Sequence, residues 1–449
     1  MIGLTAIIVL FGLGPLILGA RSRRIGYLPF ALTAATYSTY ALAGIFVYAT
    51  DGDPPFAPSG SWKGLFLDDD LNVRAAGLVV LFLGALYAGF FSAAVLGSRF
   101  RLTPSPDDGS LSIPKIDAAG YRVLWTLGLG MTLASFAALP GAAFAGAYSV
   151  ADGAFPFLFF SVYLLMAAST LLLGADGFSR ERMIATAVIT VPLLWLGIRQ
   201  PFVYFAGAVT LVMLRKRRIT PRWIAALVVG LLVLGFVGLF RGEKNFAAIA
   251  WSDIPLAPFQ YAIYEGAFTY YNMLSTLALV ELRPGLVVPG QGLMDIVVQF
   301  IPTFFWPEKY NYMALWNLQD ASPIALRPFG TFFGLAQVYL QGREAAVVLF
   351  GFLNGVVLRW LGRELAITRR ATLLGLVAFA VPLLSLYMVR GTIAGAVVMI
   401  VRFVGVPAVL LVIVKAILRL KPDLAAQARV DLSGWYSHSS RRGRGSGDR

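Results

Sequence analysis

Runs of about 20 apolar residues with almost no charge dominate the sequence. The first of these runs, "IGLTAIIVLFGLGPLILGA", occupies residues 2–20, and more follow along the chain of 449 residues. A helix of this length crosses the hydrocarbon core of a bilayer, whereas a membrane β-barrel shows shorter segments of alternating hydropathy. Hydrophobic residues make up 58% of the chain and charged residues 13%, which excludes an ordinary soluble domain. The sequence therefore predicts an all-α, polytopic membrane helical bundle.

Basic residues indicate how this bundle is oriented. They collect in short runs at the ends of apolar segments, as in "RSRR" at 21–24 and "RKRR" at 215–218, which is typical of cytoplasmic loops. We therefore expect the N-terminus outside, the C-terminus in the cytoplasm and about 11 transmembrane helices, within a range of about 10–13. The net charge of +14 reflects this orientation rather than nucleic-acid binding. The predicted helices cover residues 2–20, 27–49, 73–97, 123–147, 155–175, 183–198, 201–214, 222–240, 345–361, 371–389 and 392–414.

This helix pattern divides the chain into four parts. Residues 1–240 form an N-terminal transmembrane bundle that includes a short hairpin at 183–214. Residues 241–343, rich in Tyr, Trp, Phe and Pro, form a large outer loop region of short helices. Residues 344–414 form the C-terminal transmembrane helices, and residues 415–449 form a basic cytoplasmic tail. Long ordered loops on a helical scaffold commonly carry function, so we expect the functional site at the outer face.

The hairpin contains a single charge, Arg199, in the stretch "VPLLWLGIRQPFVYFAG". Basic residues flank the apolar run on both sides, so both ends are expected in the cytoplasm and the turn falls at "GIRQP". Each arm has only about 15 residues, so the turn stops short of the outer surface. Two interpretations of Arg199 follow. It faces an anion at the floor of an outward-open cavity, or its side chain reaches up to the membrane interface.

Further arginines gather on the predicted outer side. Arg241 lies in "FRGEK", Arg327 in "ALRPFG", and Arg343 precedes the ninth predicted helix. Arg390 follows the tenth helix, and Arg402 interrupts the last one. The planar guanidinium group binds phosphate through two hydrogen bonds, so together these side chains predict a basic, phosphate-binding pocket. Each one taken singly also fits an ordinary interface anchor.

Carboxylates and aromatic rings of the outer loop region supply the other candidates. Glu265 lies in "YAIYEGAFTYYN", and burial among apolar rings raises the pKa of carboxyl groups towards the range of a general base. The same residue also fits an ordinary solvated carboxylate of a loop. Tyr261, Tyr270, Trp306 and Tyr310 are candidates for stacking on sugar rings. The same aromatic residues also fit an interfacial belt.

Three consecutive carboxylates, Asp68, Asp69 and Asp70, precede the third predicted helix. Clustered carboxylates bind divalent cations, but acidic residues also stabilise helix N-termini, and we favour the second role. Cysteine is absent and the one histidine, His438, lies in the polar tail. The sequence therefore predicts no metal site and no cofactor.

Five motifs between about residue 180 and residue 395 form a set. They are "GIRQPFVYFAGAVTLVMLRKRR", "FRGEK", "IPTFFWPEKYNY", "RPFGTFFGLAQVYLQG" and "YMVRG". Together they resemble the motifs of the bacterial oligosaccharide repeat-unit polymerases, the Wzy-type O-antigen polymerases. The chain departs from that pattern in having Lys309-Tyr310 in place of Lys-Pro, and Gln337 near a position where many members carry an acid. O-antigen ligases share the architecture but depend on an outer-loop histidine, which this loop lacks.

The resemblance implies glycosyl transfer between two undecaprenyl-diphosphate-linked oligosaccharides at the outer face of the bacterial inner membrane. It implies the lipid bilayer and a chain-length regulator protein as partners, and a product used in lipopolysaccharide or a related surface polysaccharide. Glu265 would accept the proton of the acceptor hydroxyl group. The arginines expected to hold the substrate pyrophosphates are Arg199, Arg327, Arg390, Arg241 and Arg343, with Arg199 and Arg390 also acting in catalysis.

Other functions remain open at this stage. A different polyprenyl-lipid glycosyltransferase of the GT-C type would use a metal at the Asp68–Asp70 cluster. An O-antigen ligase would transfer a glycan once. A flippase or transporter would show internal pseudo-symmetry and broken helices in corresponding halves. A scaffolding subunit would not need arginines below the membrane interface.

Overall fold

The structure is a computed structural model, and the described part of the chain is helical throughout its regular elements. This confirms the predicted all-α class for that part. The described residues are 1–22, 25–50, 63–99, 126–134, 257–286, 288–301, 305–309, 334–367 and 393–420, with the single positions 137, 206, 207, 209, 225, 229, 230 and 389.

The helices follow the apolar runs of the sequence. Predicted spans at 2–20, 27–49, 73–97, 345–361 and 392–414 each coincide with a helix. The spans at 155–175 and 183–198 lie outside the described residues, and only a few residues are described in those at 123–147, 201–214, 222–240 and 371–389. Short 3₁₀ turns occupy Ile25–Tyr27 and Pro284–Leu286. The helices are α1 (Ile2–Ser22), α2 (Leu28–Ala49), α3 (Lys63–Phe66), α4 (Asp69–Arg99), α5 (Ala257–Leu282), α6 (Gln291–Phe300), α7 (Gly334–Ile367) and α8 (Ile393–Leu420).

Three helices of the described part are long and apolar enough to cross a membrane. They comprise Leu28–Ala49 in α2, Asp69–Val95 in α4 and Gly334–Leu365 in α7, while Ile2–Ile17 and Ile393–Gly405 are shorter apolar helices. The 22 residues of α2 extend about 33 Å, close to the thickness of a bilayer core. These helices indicate an integral membrane protein. The full number of about 11 spans stays a prediction.

Helices α4 and α7 make the most extensive contact of the described bundle. A Cβ atom at Gly351 would lie 2.7 Å from the backbone oxygen of Phe82, and one at Gly355 would overlap the backbone oxygen of Leu86. The absence of side chains at these glycines lets the two backbones touch. The contacts advance by four residues on both helices, so α4 and α7 run in the same direction.

Helix α5 corrects the expectation of an outer loop composed only of short helices. Its 26 residues lie inside the predicted loop region, yet they form one helix of about 39 Å. The helix is buried almost continuously from Gly266 to Val280 and packs along α2, where Gly266 contacts Ala43 and Tyr270 contacts Gly44. It is therefore part of the core.

Polar residues explain why α5 does not read as an apolar span. The hydroxyl groups of Ser275 and Thr276 donate hydrogen bonds to the backbone oxygen of Asn272, at 3.1 and 2.7 Å. Bonds of this kind satisfy the hydroxyl groups inside the helix, so they are tolerated in a buried position. Hydropathy alone undervalues such a segment because it counts these side chains as polar.

The glycine contact between α4 and α7 gives a stability prediction. A Cβ atom at Gly89 of α4 would overlap the backbone oxygen of Phe352, whereas one at Gly84 meets open space. We expect Gly89→Ala to lower the free energy of unfolding by about 1–3 kcal/mol, because a backbone cannot move aside as a side chain can. Gly84→Ala is the matched control and should be neutral or stabilising, because alanine favours helix. Thermal unfolding in detergent measures both, and equal midpoints for the two variants would contradict the assigned contact.

Candidate functional site

One end of the bundle is formed where α2 ends and α4 begins, and we call it the Asp69 end. Tyr48 of α2 donates a hydrogen bond to Asp69 at 2.6 Å. Asp68 caps α4 by accepting the N–H of Leu71 at 3.0 Å, and Asn72 donates to the backbone oxygen of Asp68 at 2.8 Å. Two of the three consecutive carboxylates thus take part in starting and holding the helix, which confirms the helix-start interpretation.

An ion pair and a neighbouring tyrosine connect three helices near the Asp69 end. Arg74 of α4 forms an ion pair with Glu281 of α5, and its guanidinium group lies 3.5 Å from the hydroxyl of Tyr339 in α7. Both charged side chains are well exposed, so the pair positions the helices more than it stabilises them. Sequence reasoning missed Arg74 and Glu281. Arg74 is a charge directly before the long apolar run of α4, which is the kind of signal that singled out Arg199.

Helix α7 is broken at Gly342 and Arg343. Arg343 has φ 54° and ψ −142°, and among the described residues it is the one non-glycine with positive φ. This backbone conformation is strained for a residue with a Cβ atom. The side chain is exposed at the break. Strain of this kind concentrates at functional sites, so the break directs attention to Arg343, which the sequence had already proposed for phosphate binding.

Residues 334–341, the short segment of α7 before the break, form hydrogen bonds with the N-terminal ends of two other helices. The Oε1 atom of Gln337 accepts the N–H of Ile393 at 2.6 Å, at the beginning of α8. One helical turn later, the Oε1 atom of Gln341 accepts the N–H of Gly292 at 2.6 Å, in the first turn of α6. Glutamines four residues apart lie on one face of a helix. This face of α7 therefore brings the N-terminal ends of α6 and α8 next to the break.

Helix α6 is also held at its other end. Lys309 is buried, and its Nζ atom donates to the backbone oxygens of Ile301, at 2.5 Å, and Gln299, at 3.4 Å. A cation at the C-terminal end of a helix compensates its unsatisfied carbonyl groups and its dipole. Lys309 is the lysine of "PEKY" that fits the motif pattern, and it closes α6 at its C-terminal end. The departure from that pattern, Tyr310, lies outside the described residues.

The electrostatic character of this region is positive. Helix N-termini present N–H groups and the positive end of the helix dipole, and two of them meet beside the exposed Arg343. One negative group, the buried carboxylate of Asp295 in α6, accepts a hydrogen bond from Gln291 at 3.2 Å and offsets part of the positive end of that helix. The exposed arginine and the helix N-termini attract anions, and phosphate is the common biological one at helix N-termini.

No protein-family model matches the chain, and neither does a curated protein or a solved structure.

The structure describes some of the predicted site residues, and it contradicts the predicted role of one of them. Arg343 lies at the break, and Trp306 is half-buried, with its backbone oxygen 3.3 Å from the N–H of Lys309. Glu265 and Tyr261 lie in α5 rather than in a loop. The remaining predicted residues, which lie outside the described ranges, are Arg199, Arg241, Arg327, Arg390 and Tyr310.

Tyr270 requires a correction, because it was predicted to stack on a sugar. Its side chain is fully buried, packs against Gly44 and Phe66, and donates a hydrogen bond to the backbone oxygen of Asn72 at 3.3 Å. A buried ring has no free face for a ligand. The aromatic cluster in which it lies is a core cluster, where large rings fill space between helices.

The strained conformation of Arg343 gives a second stability prediction. Glycine adopts positive φ without steric cost, so Arg343→Gly should relieve strain of about 1–3 kcal/mol. Arg343→Ala removes the same guanidinium group but keeps the Cβ atom and its strain. We therefore expect the glycine variant to unfold at a higher temperature than the alanine variant in detergent. Identical unfolding temperatures would show that the backbone at residue 343 is not strained.

Proposed function

We propose that this protein is a membrane glycosyltransferase that polymerises undecaprenyl-diphosphate-linked oligosaccharide repeat units. The Asp69 end of the bundle would then face the outside of the bacterial inner membrane. The motif resemblance supplies the reaction, and the break in α7 is the structural observation that supports it. At that break an exposed arginine and two helix N-termini lie together, which is an environment suited to a pyrophosphate.

In the proposed reaction, a hydroxyl oxygen of the acceptor glycan attacks the anomeric carbon of the donor glycan. The bond between that carbon and the diphosphate oxygen breaks, and its electron pair stays on the diphosphate. The hydroxyl proton passes to a carboxylate, for which the sequence proposes Glu265. Cations that stabilise the leaving diphosphate lower the barrier because negative charge accumulates there. Arg199, Arg390 and Arg343 are proposed for this role.

The broken helix also favours a second candidate, a transporter for a lipid-linked glycan. Transporters bind substrates at discontinuous helices whose N-terminal ends point at anionic groups. The two candidates differ in their product. A polymerase lengthens the glycan on its lipid carrier, whereas a transporter moves the glycan across the membrane unchanged.

Reconstitution tests the proposal directly. The purified protein is placed in liposomes with purified lipid-linked repeat unit, and the glycans are separated by size. We expect a ladder of polymers from the wild type, and a loss of about 10²–10³ in rate from Arg199→Ala or Arg390→Ala, because each removes a cation from the leaving group. Arg343→Gly should reduce the rate while keeping the protein folded.

Arg359 provides a matched control in the same helix as Arg343. It lies about 24 Å further along α7, where its guanidinium group is 5.2 Å from the ring centroid of Phe90. Arg359→Ala should keep its activity, provided that the variant remains folded. If all three arginine variants produced ladders like that of the wild type, the pyrophosphate role would be wrong. If the wild type moved glycans without lengthening them, the transporter candidate would replace the polymerase.

A further inference from the structure

The side-chain amide of Gln337 has a hydrogen-bonded acceptor atom and a donor atom without a partner in the described part of the chain. The side chain is only 3% exposed, and its Oε1 atom accepts the N–H of Ile393 at 2.6 Å. Within the described part of the chain, its Nε2 atom has no hydrogen-bond partner. Both atoms are bonded to the same carbon, so the unused donor also lies at the N-terminus of α8.

Burying a donor without an acceptor is unfavourable, and a leucine or methionine would fill the same space without that cost. The presence of an amide at this position therefore requires hydrogen-bond partners for both of its polar atoms. The acceptor half is explained by the N–H of Ile393. The donor half requires an acceptor that is not part of the described chain.

The surroundings of this donor favour an anion. The first turn of an α-helix has N–H groups without an acceptor within the helix, and the 28 residues of α8 give it a full dipole. In α8 the N–H of Ile393 is bonded to Gln337, so the N–H of Ala394, the next residue, is the helix donor that the site would use. The flanking segments "MVRGTIAGAVVMI" (388–400) and "GLAQVYLQG" (334–342) contain one arginine and no acidic residue. Neither segment supplies an acceptor with negative charge. Helix N-termini are common binding sites of phosphate groups, and a side-chain amide adds one more hydrogen-bond donor.

We propose that the N-terminus of α8 and the Nε2 atom of Gln337 form a binding site for a phosphate group. The site takes a phosphate monoester or a diphosphate, whose several oxygens accept from the amide and from the helix. Its occupation by the phosphate of a lipid carrier rests on the proposed function. Its occupation by free inorganic diphosphate does not.

The substitution Gln337→Glu isolates the unused donor. A carboxylate keeps the acceptor for the N–H of Ile393 and suits a helix N-terminus, so the protein should fold. It removes the Nε2 donor and repels an anion. Gln341→Glu is the matched control, because it places the same charge one turn away on the same face of α7, at the N-terminus of α6 instead of α8.

The test measures stabilisation of the detergent-solubilised protein by inorganic pyrophosphate, against sodium chloride of equal ionic strength. A parallel arm compares the protein in phosphatidylcholine nanodiscs with and without phosphatidic acid, so that a lipid source is distinguished from a free one. We expect a ligand-dependent rise in unfolding temperature in at least one arm. Gln337→Glu should weaken binding by about tenfold or more, because a charge-assisted hydrogen bond is lost, whereas Gln341→Glu should retain it.

Two outcomes overturn the proposal. One is that neither pyrophosphate nor phosphatidic acid stabilises the wild type. This result requires no variant, and it would leave water as the hydrogen-bond partner of the amide. The other is equal stabilisation of the wild type and Gln337→Glu. If Gln337→Glu did not fold, Gln337→Met would replace it, and the same loss of binding would be required. Polymer formation is assayed separately, so failure of the phosphate site and failure of the glycosyltransferase proposal give different results.

Discussion

The direct contact between the backbones of α4 and α7 fixes the position of the break in α7. Gly351 and Gly355 leave no side chain between the helices, so α7 cannot slide or rotate without a clash with α4. Close contacts of this type are a common way for helices to associate in membranes, where apolar surface alone gives little attraction between them. The segment before the break, with Tyr339, therefore lies at a defined height beside Arg74.

A broken helix is costly in a membrane protein because backbone groups in an apolar environment need hydrogen-bond partners. Here the segment before the break is buried, and two glutamines at its surface bond to the N–H groups of α8 and α6. Neutral amides thus connect the pieces of the broken region. This leaves the positive ends of the helices uncompensated by carboxylates of the segment, and so the region keeps its attraction for anions.

Long apolar runs predicted α1, α2, α4, α7 and α8, because length and hydropathy determine what can cross a bilayer. Helix α5 was not predicted, because hydroxyl and amide side chains that bond within the helix lower its hydropathy. The predicted start of a helix at 345 coincides with the second part of α7, but no apolar run or capping residue indicates that a helix also precedes Gly342. From sequence alone, the residues before the break were assigned to the aromatic outer loop region.

The candidate site was predictable only where charge marks it. Arg343 stands out because a charge beside an apolar run calls for an explanation. Gln337 and Gln341 are neutral, and their importance depends on which helix ends lie opposite them, which is a tertiary property. Tyr270 shows the reverse error, since an aromatic residue near other aromatic residues reads equally as a ligand contact or as core.

Helix α6 is held at both ends, buries Asp295 and Val298, and exposes an apolar face on its other side. Gln341 binds its first turn and Lys309 its last, while Leu293, Met294 and Val297 are exposed. An apolar helix face at the edge of a membrane protein takes its level from the surrounding lipid. Gln341 lies directly before the break, so a single hydrogen bond separates the first turn of α6 from the backbone next to Arg343. The lipid-facing helix and the strained arginine are therefore direct neighbours in the fold.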